Sequence, residues 1–199
     1  MEHLLLLYNS DVSAEPSPEA RLATVNPFSA ADAEAILRER GWLAAQGTPE
    51  LEEWMRDAAE WLGLQAALHA PKEGRLALTE LLASVFSYDA AKLLENKDNQ
   101  AVMAREGARD VIRELANRVL EGGEIDSERF REIVAGLKGI FGSHGRKIFY
   151  PLRLALAGRP GEGELDRVIL LLDRAAKLPF ALPVKGTRQR MLEFCAALD

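Results

Sequence analysis

The feature that most constrains this chain is the recurrence of apolar residues at intervals of three and four. The clearest case follows the helix-start signature Asp126-Ser127-Glu128 and stops at Gly142. Side chains at this spacing share one side of an α-helix, and no stretch of the chain alternates in the way typical of strands. We therefore predict an all-α fold in which strands hold less than about a tenth of the residues. The stripe expected to be buried contains Phe130, Val134, Leu137 and Phe141.

Capping signals predict the other helices. Ser29 and Asp32 indicate a helix that ends near Gly41, and Thr48 followed by Pro49 indicates a second one, which extends to about His69. In this second helix Trp54 and Trp61 have the spacing of core residues, which we favour over a base-stacking role. Further helices are expected over 76–86, 90–95, from about Ala104 to Gly122, over 164–175 and over 188–198, with Thr187 as the cap of the last and 96–100 as a break.

Composition and turn signals suggest three regions. Residues 1–27 contain Pro16, Pro18 and Pro27 and are expected to form an irregular lead-in. Residues 28–141 are expected to form one helical subdomain and residues 142–199 a second, C-terminal one. The predicted architecture is thus two packed helical clusters.

Cysteine and charge content limit the classes of function. A single cysteine, Cys195, excludes an internal disulfide and suits a cytoplasmic protein. No apolar stretch approaches the roughly 18 residues needed to cross a bilayer, so we expect no membrane partner. The net charge of -6 is unevenly distributed, since residues 1–136 hold 14 basic and 25 acidic residues whereas residues 137–199 hold 11 basic and 6 acidic ones. A local basic field attracts phosphates even on an acidic protein.

Residues with recognisable site chemistry are scarce. His3, His69 and His144 lie far apart and belong to no pattern with metal-ligand spacing, so we expect no metal. The glycine-rich run 158–163 lacks the lysine and serine of a phosphate-binding loop and contains an acid, so we expect no nucleotide cofactor there.

One segment resembles a known family. Residues 146–165 read Arg-Lys-Ile-Phe-Tyr-Pro-Leu-Arg-Leu-Ala-Leu-Ala-Gly-Arg-Pro-Gly-Glu-Gly-Glu-Leu. This run resembles the "K…PLR.ALTG…GP.L" segment of bacterial glutamyl-tRNA synthetases, and the run from Val85 to Asp89 is similar to that family's "F.YD" junction. The resemblance spans about residues 28–199, and its specific part is Pro151 to Gly158. It implies the fold of the family's C-terminal, helical anticodon-binding cage.

The sequence departs from that family in three places. Ala157 stands where the family usually has threonine, and residues 178–186 replace a short turn before the final helix. The chain also lacks "HIGH"-like and "KMSKS"-like motifs. We therefore expect no enzymatic activity, and in particular no aminoacylation, from this chain.

The resemblance and the basic C-terminal charge together predict a non-catalytic, stand-alone RNA-binding module that binds tRNA or a similar RNA in translation. The alternative is a helical protein-interaction module without RNA binding, which the acidic first part favours. Arg153 could instead pin a loop through hydrogen bonds, and the other cations could be merely solvated. The candidate RNA-binding residues are Arg146, Lys147, Arg153, Arg159, Lys185, Arg188 and Arg190.

Overall fold

The computed structural model describes residues 25–43, 47–69, 73–142, 145–159 and 165–199. These residues form helices and no strands, which confirms the all-α prediction. The helices within these ranges are α1 (Ala30–Glu39), α2 (Pro49–His69), α3 (Arg75–Phe86), α4 (Ala90–Glu95), α5 (Lys97–Met103), α6 (Ala108–Glu121), α7 (Ser127–Phe141), α8 (Arg146–Ala157), α9 (Leu165–Ala175) and α10 (Thr187–Leu198). Most of the predicted lead-in and the start of the helix predicted over 164–175 lie outside the described residues.

Helix starts follow the predicted capping chemistry at three positions. Ser29 and Asp32 form a reciprocal capping box at the start of α1, and the hydrogen bond from Ser29 lowers the pKa of the Asp32 carboxyl. Thr48 Oγ1 accepts from the Leu51 amide, and the Asp126 carboxylate accepts from the Arg129 amide. Such caps satisfy amides that have no partner inside the helix.

Other boundaries differ from the prediction. Residue Asn96 does not merely interrupt a helix, because its Oδ1 accepts from the Asp98 and Asn99 amides and so starts α5. Ala104 is exposed and follows α5, since Gly107, with φ of 78°, separates α5 from α6. Thr187 is not a cap: its amide donates to Asp173 Oδ1, while its buried hydroxyl makes no hydrogen bond.

The buried side chains form one continuous core. Helix α9 packs against α2, α7, α8 and α10 and so contacts helices on both sides of residue 142. Phe130, Val134 and Leu137 are buried as predicted, whereas Phe141 is only partly buried. The division into subdomains at residues 141 and 142 stays a prediction.

An aromatic cluster fills the core between α2, α3 and the segment before α10. Trp42 stacks on Phe86 with ring centroids 4.8 Å apart, and Phe180 meets Trp54 and Phe86 edge-on, each at 5.0 Å. The Trp54 indole donates to the Leu171 carbonyl at 2.9 Å. Trp54 is therefore a core residue, as its spacing predicted. Phe180 also anchors residues 178–186 to the core, and α10 begins from that segment.

Candidate functional site

Helix α8 contains most of the basic segment at 146–165 that the sequence singled out. It begins after Gly145 and ends at Gly158, whose φ values of 62° and 74° favour glycine. Pro151 lies inside the helix and has no amide hydrogen for the carbonyl of Lys147, four residues earlier. Because Lys147 is exposed, water can take that place. The helix thus extends through a residue that sequence rules treat as a helix breaker.

Basic side chains gather around two aromatic rings at the start of α8. The Arg105 and Arg146 guanidiniums lie 5.6 and 5.8 Å from the centre of the Tyr150 ring. The Lys138 ammonium lies 5.3 Å from the centre of the Phe149 ring. We call these residues, with the exposed Lys147, the basic surface; it comprises Arg105, Lys138, Arg146, Lys147, Phe149 and Tyr150.

The basic surface continues along α8 toward Arg153. Arg146, Tyr150 and Arg153 are separated by four and three residues, so they share one face of the helix. Arg146 and Arg153 are therefore about 10 Å apart along the helix axis. Arg105, Lys138 and Lys147 form no ion pair with a carboxylate of the described ranges. Two of the predicted residues, Arg146 and Lys147, thus belong to the basic surface.

Arg153 and Arg159 line a cleft beyond that surface. The cleft lies between α2, α3, α8 and α9, and its other polar lining residues are Gln65 and Ser84. The Arg159 guanidinium is 3.4 Å from Gln65 Oε1. Apolar walls come from Leu62, Leu81, Val85, Ala157, Val168 and Leu171.

Lys185 and Arg188 are held by other parts of the protein. The Lys185 ammonium donates to the Tyr88 carbonyl at 2.9 Å and pairs with Glu193 Oε2 at 2.6 Å. The Arg188 guanidinium donates to the Val119, Leu120 and Gly122 carbonyls at the end of α6. Arg188 therefore caps a helix end, although the residue is exposed.

Arg190 is buried, with no exposed surface, so its side chain is not accessible to an RNA. Its guanidinium donates to the Lys185, Leu156, Ser84 and Val85 carbonyls at 2.7–2.9 Å. It also lies 4.4 Å from the centre of the Tyr88 ring. Its hydrogen bonds join the ends of α3 and α8, which explains why a charged residue occupies the core.

Burial changes the ionisation of this cluster. Desolvation lowers the pKa of Arg190 to about 10 and raises that of Tyr88. The Tyr88 hydroxyl stays protonated and donates to the Ala155 carbonyl at 2.6 Å. Partial burial works to raise the pKa of Glu193, but hydrogen bonds from Lys185 and the Ala90 amide hold it below its ordinary value.

Two residues of the basic surface carry no signal in the sequence. Arg105 lies in the acidic part of the chain, and Lys138 lies on α7 beside its apolar stripe. Only the packing of α8 beside α5 and α6 and the approach of α7 to its first turns bring them to Tyr150 and Phe149.

Metal-binding and membrane-spanning features are absent from the part of the chain that the structure describes. Within the described ranges, no cluster of histidine, cysteine or acidic residues has the grouping of a metal site. No helix there is long and apolar enough to cross a membrane.

Comparison with known proteins finds similarity to glutamate-tRNA ligases over part of the chain. The ligase of Carboxydothermus hydrogenoformans is 28% identical over 112 residues, which are 56% of this chain and 23% of that protein. A ligase of Syntrophus aciditrophicus is 28% identical over 94 residues, 46% of this chain and 19% of its own length. A ligase of Dinoroseobacter shibae is 27% identical over 144 residues, 72% of this chain and 29% of its own length.

The chain therefore matches less than a third of the length of each of these relatives. No family model and no solved structure matches it. A region of this protein is thus similar in sequence to glutamate-tRNA ligases.

Proposed function

We propose that this protein is a non-catalytic RNA-binding module that binds tRNA through the basic surface and the adjoining cleft. The observation that carries the proposal is the row formed by Arg146, Tyr150 and Arg153 on one face of α8, flanked by Arg105 and Lys138. Cations bind phosphates, whereas aromatic rings and guanidinium planes stack on unpaired bases. The basic surface presents both kinds of group, which suits the unpaired bases and phosphates of an RNA loop.

Sequence similarity supports tRNA as the RNA that is bound. The matched relatives are named as ligases of tRNA, and the segment at 146–165 resembles the part of glutamyl-tRNA synthetases that binds the anticodon. We therefore propose the anticodon arm as the target. Arg146, Lys147, Arg153 and Arg159 are the proposed contacts, with Arg105, Lys138 and Tyr150 added by the structure.

The remaining predicted residues have lesser roles in this proposal. Lys185 and Arg188 contribute positive charge at a distance, since their donors are engaged with carbonyls and Glu193. The acidic first part disfavours RNA, so binding is expected to be weak and strongly dependent on salt.

The test is a titration of total tRNA at two salt concentrations against wild-type protein and the double variant Arg146→Ala/Lys147→Ala. Removing a cation that binds a phosphate should flatten the slope of log K against log salt by roughly 0.7 to 0.9. Both side chains are exposed, so the variant should fold normally. The matched control is Arg40→Ala/Arg56→Ala, which removes two exposed cations from the region of α1 and α2.

Equal effects of the two double variants would contradict a specific surface, because net charge alone would then explain binding. If wild-type protein binds no tRNA at low salt, the RNA-binding proposal fails. The protein-interaction alternative would then take its place, with the exposed apolar residues Leu76, Ile140 and Leu192 as its first candidates.

A further inference from the structure

Arg190 and Tyr88 make hydrogen bonds that connect two walls of the cleft, the ends of helices α3 and α8. Arg190 donates to the Ser84 and Val85 carbonyls, and both of these residues line the cleft on the α3 side. The same guanidinium donates to the Leu156 carbonyl in the last turn of α8. In the sequence, Leu156 lies between Arg153 and Arg159, and these two arginines line the α8 side of the cleft.

Tyr88 reinforces the same connection. Its ring lies against the Arg190 guanidinium, and its hydroxyl donates to the Ala155 carbonyl. At the end of α8, Gly158 has φ of 74°, and a Cβ there would lie 3.4 Å from the Tyr88 ring. The chain thus turns toward Arg159 directly over Tyr88. These contacts fix where Arg159 leaves the helix.

We propose that Arg190 and Tyr88 are positioning residues for RNA binding, which set the separation and orientation of Arg153 and Arg159 without touching the RNA. This inference rests on the proposed function. The last carbonyls of α3 and α8 have no partners within their own helices, and a planar guanidinium with five donors can join both ends at once. A lysine ammonium presents one point of charge and cannot reproduce that geometry.

The first variant is Tyr88→Phe, which removes one hydroxyl and leaves the ring against Arg190. The second is Arg190→Lys, which keeps the charge. We expect each to weaken tRNA binding roughly five- to tenfold at fixed salt, because a misplaced Arg159 guanidinium no longer meets the RNA in its wild-type geometry. In Arg159→Ala binding should weaken and the salt slope should flatten, because one phosphate contact is removed. In Tyr88→Phe and Arg190→Lys the slope should flatten by no more than it does in Arg159→Ala, since neither residue contacts a phosphate itself.

Two controls separate positioning from simple loss of stability. Ser29→Ala removes the cap of α1, far along the chain from the cleft, and should lower the thermal midpoint with no change in tRNA affinity. A duplex RNA of equal charge serves as a competitor. Loss of a positioning residue should change the ratio of the affinity for tRNA to the affinity for this duplex. If Arg190→Lys does not fold, Tyr88→Phe carries the test.

If Tyr88→Phe lowers stability but leaves the tRNA affinity and the tRNA-to-duplex affinity ratio at their wild-type values, the positioning role is overturned. The proposed function would remain intact. A salt slope that flattens more in Tyr88→Phe or Arg190→Lys than in Arg159→Ala would overturn the positioning role as well, because it would indicate phosphate contacts beyond that of Arg159. Absence of tRNA binding by the wild type would overturn both proposals together.

Discussion

At the scale of single residues, the C-terminal cations divide according to what their donors contact. Lys147 is exposed, Arg188 caps α6, and Arg190 is buried on carbonyls at the ends of two helices. A guanidinium in the core costs free energy unless its donors are satisfied, and here carbonyls satisfy them. Positive charge in a sequence therefore counts little toward RNA binding where, as at Arg190, the side chain is buried on the protein's own carbonyls.

Glu193 gives a prediction on pH. Its carboxylate accepts from the Ala90 amide at 3.0 Å and pairs with Lys185, and its pKa in the folded state lies below the ordinary value of 4.5. A lowered pKa means that the carboxylate stabilises the fold above the unfolded-state pKa and loses this effect as pH falls through the lower, folded-state pKa.

Glu193→Gln should therefore reduce the free energy of unfolding by about 1 kcal/mol near pH 7, and the difference should shrink below about pH 4.5. Urea denaturation of both proteins from pH 7 to pH 3 measures this. Glu52→Gln, at an exposed position on α2, is the control and should show little difference throughout. A difference for Glu193→Gln that is independent of pH would contradict an ionic role.

At the scale of elements, the exceptions to helix rules come from contacts made elsewhere in the chain. Helix α8 continues through Pro151 because Ile148, Leu152 and Leu156 are fully buried around it. Burial of that apolar face stabilises the helix enough to offset one missing hydrogen bond, since each large side chain contributes about 1.5–3 kcal/mol. Local rules fail where packing of this size opposes them.

At the start of helix α10, removal of the Thr187 hydroxyl should change the free energy of unfolding in opposite directions depending on whether that hydroxyl caps the helix. A capping role for Thr187 predicts that removing its hydroxyl costs about 1 kcal/mol. In the structure this hydroxyl is buried without a partner, and Asp173 accepts from the Thr187 amide instead.

Thr187→Val keeps the shape and removes the unpaired hydroxyl, so it should leave the free energy of unfolding unchanged or raise it by about 1 kcal/mol. Urea denaturation measures this. The matched control is Thr48→Val, whose hydroxyl does accept from an amide and whose removal should be destabilising by about 1 kcal/mol. Equal destabilisation of the two variants would contradict the account.

At the scale of the whole molecule, the fold brings together positive charges that a count of basic residues along the sequence assigns to different parts of the chain. The basic surface combines Arg105, from the acidic part of the chain, with Lys138, Arg146 and Lys147 from the basic part. A fold that gathers charges from separated segments can present a basic face on a protein with net charge -6.

The proposed non-catalytic role predicts that the protein, with glutamate, ATP and tRNA present, catalyses no pyrophosphate exchange. The reason is that the chain lacks the motifs with which the resembled family binds ATP and stabilises its transferring phosphate. The measurement is exchange of labelled pyrophosphate into ATP, with a glutamyl-tRNA synthetase as the positive control. Exchange that persists through repurification to constant specific activity would contradict the prediction.

The sequence by itself determined the helical class, most helix starts and the core stripe of α7. These depend on short-range causes: the period of the helix, caps within three residues and the burial of apolar side chains. It also singled out the 146–165 segment, two of whose basic residues, Arg146 and Lys147, lie on the basic surface. Tertiary structure alone decided that Arg190 is buried, that Thr187 is not a cap and that Arg105 and Lys138 join Tyr150 and Phe149. Those outcomes depend on which groups distant segments bring within hydrogen-bonding or ring-contact distance, and local spacing carries no information about such contacts.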